Sequence, residues 1–100
     1  MSDSIEAMQA RTREIERIAA EARGESVSDG GEVRVVAAAG GRMAELDLRM
    51  SAFELSGVEL GEIIVSTFRA AEDQLDAQLT SAIQATMGSL ADLAEEEDGR

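Results

Sequence analysis

"SDGGEVRVVAAAGGRMAELDLRM" runs from Ser28 to Met50 and decides the fold. Asp29-Gly30-Gly31 is a tight-turn signal, because glycine reaches positive φ without steric cost. Val33, Val35 and Ala37 then alternate with Arg34, Val36 and Ala38, the period-two pattern of a strand. Gly40-Gly41 marks a second turn. The next run alternates more cleanly: Ala44, Leu46, Leu48 and Met50 take one face, and Glu45, Asp47 and Arg49 the other. The stretch predicts a β-hairpin with one face buried and one wet, as in an antiparallel sheet covered on one side.

Downstream, Ser56-Gly57-Val58-Glu59 is a capping-box pattern just ahead of an apolar run. From Leu60 an apolar stripe passes through Ile64, Phe68, Ala71, Leu75, Leu79, Ile83, Met87, Leu90 and Leu93 at close to the helical repeat, with Gly88 a possible earlier stop. Unbroken, that helix is about 50 Å long, whereas a strand of six or seven residues spans about 20 Å. Beyond the hairpin, the helix has only the N-terminal segment to pack on within its own chain. A second copy of the chain is the economical cover, so a homodimer is expected, with Ile64, Phe68, Leu75 and Leu79 at core or dimer positions.

Upstream, the chain reads as a helix from Ser2, capped by Ser2 or Ser4. Ile5, Met8, Thr12, Ile15, Ala19 and Ala22 form its apolar stripe, widened by Ile18. Arg13 and Arg17 lie away from it with Glu14 and Glu21, a pattern of surface pairs worth a few tenths of a kcal/mol each. Gly24 either stops this helix or begins something extended, and "GESVSDGG" reads as a turn-rich linker. The closing "EEEDGR" is a charge run expected to be a disordered acidic tail over 95–100, which leaves 1–94 as a single domain.

Composition narrows the function. One hundred residues with two phenylalanines and no Trp, Tyr or Cys must build a thin aliphatic core, which again favours association. The absence of Cys excludes thiolate metal sites and fits a reducing cytoplasm. The absence of His removes the commonest general base. No phosphate-cradling loop is present, since both Gly-Gly pairs precede strands rather than helices. No signal peptide, membrane span, cofactor, metal or enzymatic activity is expected. All nine cations are Arg against 21 acids, a net charge of −12 that opposes binding to nucleic acid or anionic membranes unless a local basic patch exists.

"GESVSDGGEVRVV", the turn at Gly41, "LDLR", "ELGEIIVSTFRAAEDQL" from Glu59 to Leu75 and "MGSL" from Met87 to Leu90 together resemble the YbaB/EbfC family of small bacterial nucleoid-associated proteins. The resemblance runs through nearly the whole chain, in order. It implies an α+β fold: a helix, a three-stranded antiparallel sheet and a long C-terminal helix, with "ARGESV" as the first strand. It further implies an intertwined homodimer that binds DNA with little sequence preference and resides in the cytoplasm with the nucleoid. The chain departs from the family pattern in places. Ala38 and Ala39 stand where Asn-Gly is usual, so the turn is expected at Gly40-Gly41. Arg49 and Met50 replace an Asp-Pro, and Arg69 replaces an Asn of the long helix. Family members scatter basic residues, often Lys, over the first helix and hairpin; here only Arg is present, among many acids.

Two functions compete. The first is a DNA-binding dimer with Arg11, Arg13, Arg17, Arg34, Arg42 and Arg49 as phosphate contacts, each weighed against an internal pair with a nearby acid. Base stacking is not expected, for want of suitably placed aromatics. The second is a protein-interaction module or heterodimer subunit that does not bind DNA, as actinobacterial relatives associated with type VII secretion loci suggest. Charge favours the second, resemblance the first.

Overall fold

The computed structural model describes the backbone of residues 2–98 and the side chains of residues 4–88. Helix α1 is Ser2–Glu21, followed by strands β1 (Arg23–Val27), β2 (Val33–Ala38) and β3 (Arg42–Leu48). A 3-10 turn (Met50–Glu54) then leads to α2 (Gly57–Asp98). The strands form one antiparallel sheet in the order β1-β2-β3. This is the expected α+β architecture, including the first strand that only the resemblance implied.

Both turns follow from local chemistry. Between β1 and β2, Gly31 has φ +78°. The Ser28 hydroxyl accepts from the Val33 amide at 3.1 Å and donates to Glu32 at 2.9 Å, closing the loop. Between β2 and β3, Gly40 and Gly41 have φ +79° and +72°. Only glycine takes two such residues in succession at little cost.

Of the two readings of Gly24 the extended one holds, and the segment after it is a strand rather than a linker. Gly24 is buried in β1, where an added Cβ would lie 2.0 Å from the Ala71 carbonyl oxygen and 2.7 Å from the Leu75 amide nitrogen. The missing side chain sets how closely β1 approaches α2. Gln74 of α2 then accepts a hydrogen bond from the Glu25 amide, tying the edge strand to the helix.

The core is as small as the composition requires. Val33, Val35 and Ala37 of β2 pack against Ala71 and Leu75 of α2, ringed by half-buried Ile63, Ile64, Phe68 and Leu79. Leu75 is thus buried as expected, while Ile64, Phe68 and Leu79 pack on the core but stay partly exposed in their own chain.

The β3 reading needs correction. A bulge interrupts its pairing: Val36 faces Glu45 but Ala37 faces Met43, so Ala44 is the extra residue. Past the bulge Met43, not Ala44, shares a face with Leu46 and Leu48. Of that face Leu48 packs partly against the core, but the rest is open. Met43 and Leu46 are 38% and 42% exposed and Met50 is 87% exposed, because α2 lies over β1 and β2 and leaves β3 outside its cover.

On α1 the stripe is also displaced. The half-buried positions are Ala7, Arg11, Glu14, Ile15, Ile18, Ala19 and Ala22, whereas Ile5 and Met8 are more than half exposed. At 100° per residue, Ile5, Met8 and Thr12 fall on the flank beside that seam. Helix α1 packs on α2, whose positions Leu79, Ala82, Ile83 and Thr86 are buried or half-buried. The outer part of α2 is therefore partly covered from within the chain. The expectations for Leu90, Leu93 and a disordered tail lie largely outside the described side chains, although the backbone stays helical to Asp98.

The capping box forms as read. The Glu59 amide donates to the Ser56 hydroxyl at 3.1 Å, and the Ser56 amide donates to the Glu59 carboxylate at 3.3 Å. Ser56→Ala leaves that amide without its partner and should cost about 1 kcal/mol. A urea midpoint shift corresponding to that loss is expected; an unchanged midpoint would mean the first turn of α2 contributes nothing to stability.

Candidate nucleic-acid interface

The six arginines expected to meet phosphate are distributed unequally by the fold. Arg11 and Arg17 flank Glu14 on α1, at 3.5 and 4.0 Å, and Arg17 also reaches Glu21 at 2.9 Å. These are exposed or half-exposed helix pairs, each weak on its own. They nonetheless offset two of the six positive charges. Arg13, between them in sequence, has no ion-pair partner among the described residues and sits beside the exposed Ile5, Met8 and Thr12.

Arg34 is the most constrained. The register places it on the central strand near its first residue, on the sheet's outer face, opposite Val27 at the end of β1 and Asp47 near the end of β3. Its guanidinium bonds Asp47 at 2.6 Å, Glu45 at 3.4 Å and Glu25 through Nε at 2.7 Å and through a second nitrogen. The hydrogen bond to Asp47, then that to Glu25, raises Arg34 above the usual guanidinium range. One cation thus stitches all three strands together. Because three carboxylates surround it, that part of the face is net negative, and a duplex laid there would meet repulsion.

Arg42 and Arg49 bracket β3. Arg42 lies opposite Ala38 and donates through Nε to the Ala39 carbonyl at 3.2 Å. Arg49 follows the strand, and its backbone amide donates to the Glu32 carbonyl at 2.9 Å. Neither guanidinium has a carboxylate partner among the described residues. Seven residues of strand place them roughly 23 Å apart, far enough to reach separate phosphates.

Two arginines outside the expected set differ in role. Arg23 donates to the Ala20 and Ala22 carbonyls at 3.2 and 2.8 Å, finishing the end of α1. Arg69 is exposed on α2 with no ion-pair partner among the described residues. Its substitution for an otherwise common Asn was the one sign in the sequence that it differed from a solvated charge.

The fold therefore brings Arg11 with Arg17, and Arg34 with acids, but does not gather all six into one patch. Among the described residues, no helix is long and apolar enough to cross a membrane. Neither the curated proteins nor the solved structures give a significant match to the chain. The family profile for the YbaB/EbfC DNA-binding family matches residues 1–90. That match covers α1, the whole sheet and most of α2, so the chain belongs to the YbaB/EbfC DNA-binding family.

Proposed function

We propose that the protein is a cytoplasmic, nucleoid-associated homodimer that binds DNA through phosphate contacts with little sequence preference. The observation that carries this reading is the family match over residues 1–90. Arg13, Arg42 and Arg49 are its main contacts, because their guanidinium groups are not engaged by acids among the described residues. Arg11, Arg17 and Arg34 are secondary, since each would have to leave a carboxylate first. Dimerisation presents the three free cations twice. It is supported by the uncovered apolar residues Met43, Leu46, Phe53, Val58 and Val65. Sedimentation equilibrium should give twice the 10.6 kDa chain mass at micromolar concentration.

The binding this permits is electrostatic and non-specific. Six phosphate contacts lower affinity by about a thousandfold between 50 and 200 mM salt, and phosphate contacts carry no base readout. Gel shifts on two unrelated duplexes should therefore give equal affinities that fade together as salt rises. Arg42→Ala with Arg49→Ala should weaken binding on both duplexes alike and flatten the salt dependence. Salt-independent binding, or sequence preference surviving the double change, would contradict the mechanism.

A second reading is favoured by a different observation. The net charge is −12, and the central cation of the sheet is already enclosed by acids. A protein-interaction or secretion-associated module, pairing with a basic protein or a related chain, fits that surface. Absence of a gel shift even at low salt would select it.

A further inference from the structure

We propose that a second copy of the chain docks antiparallel along the N-terminal half of α2, its dyad beside Val65, with Glu62 of each copy paired to Arg69 of the other. This rests on the homodimer reading and adds the face and the register.

The face is an open groove of about 540 Å³ on α2, lined by Val58, Gly61, Glu62, Val65 and Arg69. It lies on the side of the helix turned away from Ala71 and Leu75, which meet the sheet. Val58 is 73% and Val65 47% exposed, and a Cβ placed on Gly61 would meet nothing within 4 Å. An apolar strip with room beside its backbone admits another helix at close range.

Charge identifies the occupant. Two chains of −12 repel each other, so they can meet only where the contact is locally neutral or attractive. This groove carries one acid and one base, and neither has an ion-pair partner among the described residues. Glu62 and Arg69 are seven residues apart, about 10 Å along the axis, too far to pair within the helix. Their midpoint falls between Val65 and Ser66. A two-fold axis there sets each Glu62 level with Arg69 of the other copy and brings Val65 against its own equivalent, which is the self-complementarity an isologous contact needs. A parallel arrangement would instead oppose Glu62 to Glu62 and Arg69 to Arg69. The groove thus prefers a second copy in one direction and one register.

Charge reversal tests this. Glu62→Arg alone and Arg69→Glu alone should each weaken the dimer by roughly 10- to 100-fold, since like charges then face each other twice across the contact. Mixing the two single variants should recover dimers to near wild-type affinity, because each copy then supplies what the other lacks. A chain carrying both changes should likewise dimerise with itself. Both residues are exposed, so circular dichroism should show unchanged helicity and separate dissociation from unfolding. A wild-type dimer whose affinity neither single variant alters overturns this register and moves the second copy to the uncovered face of β3. A wild-type chain that sediments as a monomer overturns the homodimer reading itself.

Discussion

Gly24→Ala is expected to cost the protein a large share of its stability. The new methyl would lie 2.0 Å from the Ala71 carbonyl oxygen and 2.9 Å from the Leu75 Cβ. Overpacking a core costs about 1–3 kcal/mol when flexible side chains can give way, and more when they cannot. Here the obstacle is helix backbone, so β1 and α2 must separate. Separation would also weaken the bond from the Glu25 amide to Gln74 and open the contact between Val35 and Leu75. A loss of roughly 3 kcal/mol or more is expected, out of the 5–15 kcal/mol usual for a domain. Thermal and urea unfolding followed by circular dichroism should show it. Gly31→Ala is the internal comparison. Its φ of +78° penalises a side chain but nothing lies within 4 Å, so about 1 kcal/mol of backbone strain is expected. Equal effects at the two positions would mean that β1 does not approach α2 as closely as the structure has it.

Gly24 also marks where sequence reading stops. Composition assigned it to a helix end or the start of an extended segment, because those are the local uses of glycine. Its use as a spacer depends on a helix nearly fifty residues away. The Gly40-Gly41 turn was legible because positive φ is a local demand. The capping box at Ser56 was legible for the same reason, since both of its hydrogen bonds span three residues. The bulge at Ala44 was hidden: the run from Met43 to Leu48 alternates well enough in either register, and only pairing with β2 selects one. The α1 stripe is displaced to one flank, because Ile5 and Met8 are apolar while the covered seam includes Arg11 and Glu14.

The arginines were legible as residue types but not as available charges. Arg17 with Glu21 could be read from their spacing of four. Arg34 could not be matched to its partners so directly, because Glu25, Glu45 and Asp47 reach it from two other strands only after the sheet has formed. The same folding step that builds the sheet removes its central cation from the set open to phosphate. The candidate contacts on the hairpin are thereby reduced to Arg42 at the β2–β3 turn and Arg49 just past the end of β3.

Phe68→Ala is expected to report directly on whether another copy completes the core. Phe68 packs against the Val33–Val35–Leu75 cluster yet remains partly exposed in the single chain. Truncating a fully buried phenylalanine costs about 3–5 kcal/mol, the transfer and cavity contributions together. A side chain left partly in water has less apolar area to lose, and its site can collapse or fill with solvent, so a cost below that range follows. The two cases separate with protein concentration. Where the protein is dimeric, covering the outer half of the ring brings the loss towards the upper range. At dilutions where the chains separate, only the contact with its own sheet is lost. Leu75→Ala provides the reference: Leu75 is 5% exposed within its own chain, so its truncation should cost roughly 2–5 kcal/mol whether or not a second copy is bound. Urea midpoints of both variants, measured against wild type across a hundredfold range of concentration, should show the Phe68 penalty growing and the Leu75 penalty holding steady. A Phe68 penalty that stays small at every concentration would leave the outer half of that ring in water, and the apolar band from β3 to α2 would then need a cover other than this chain.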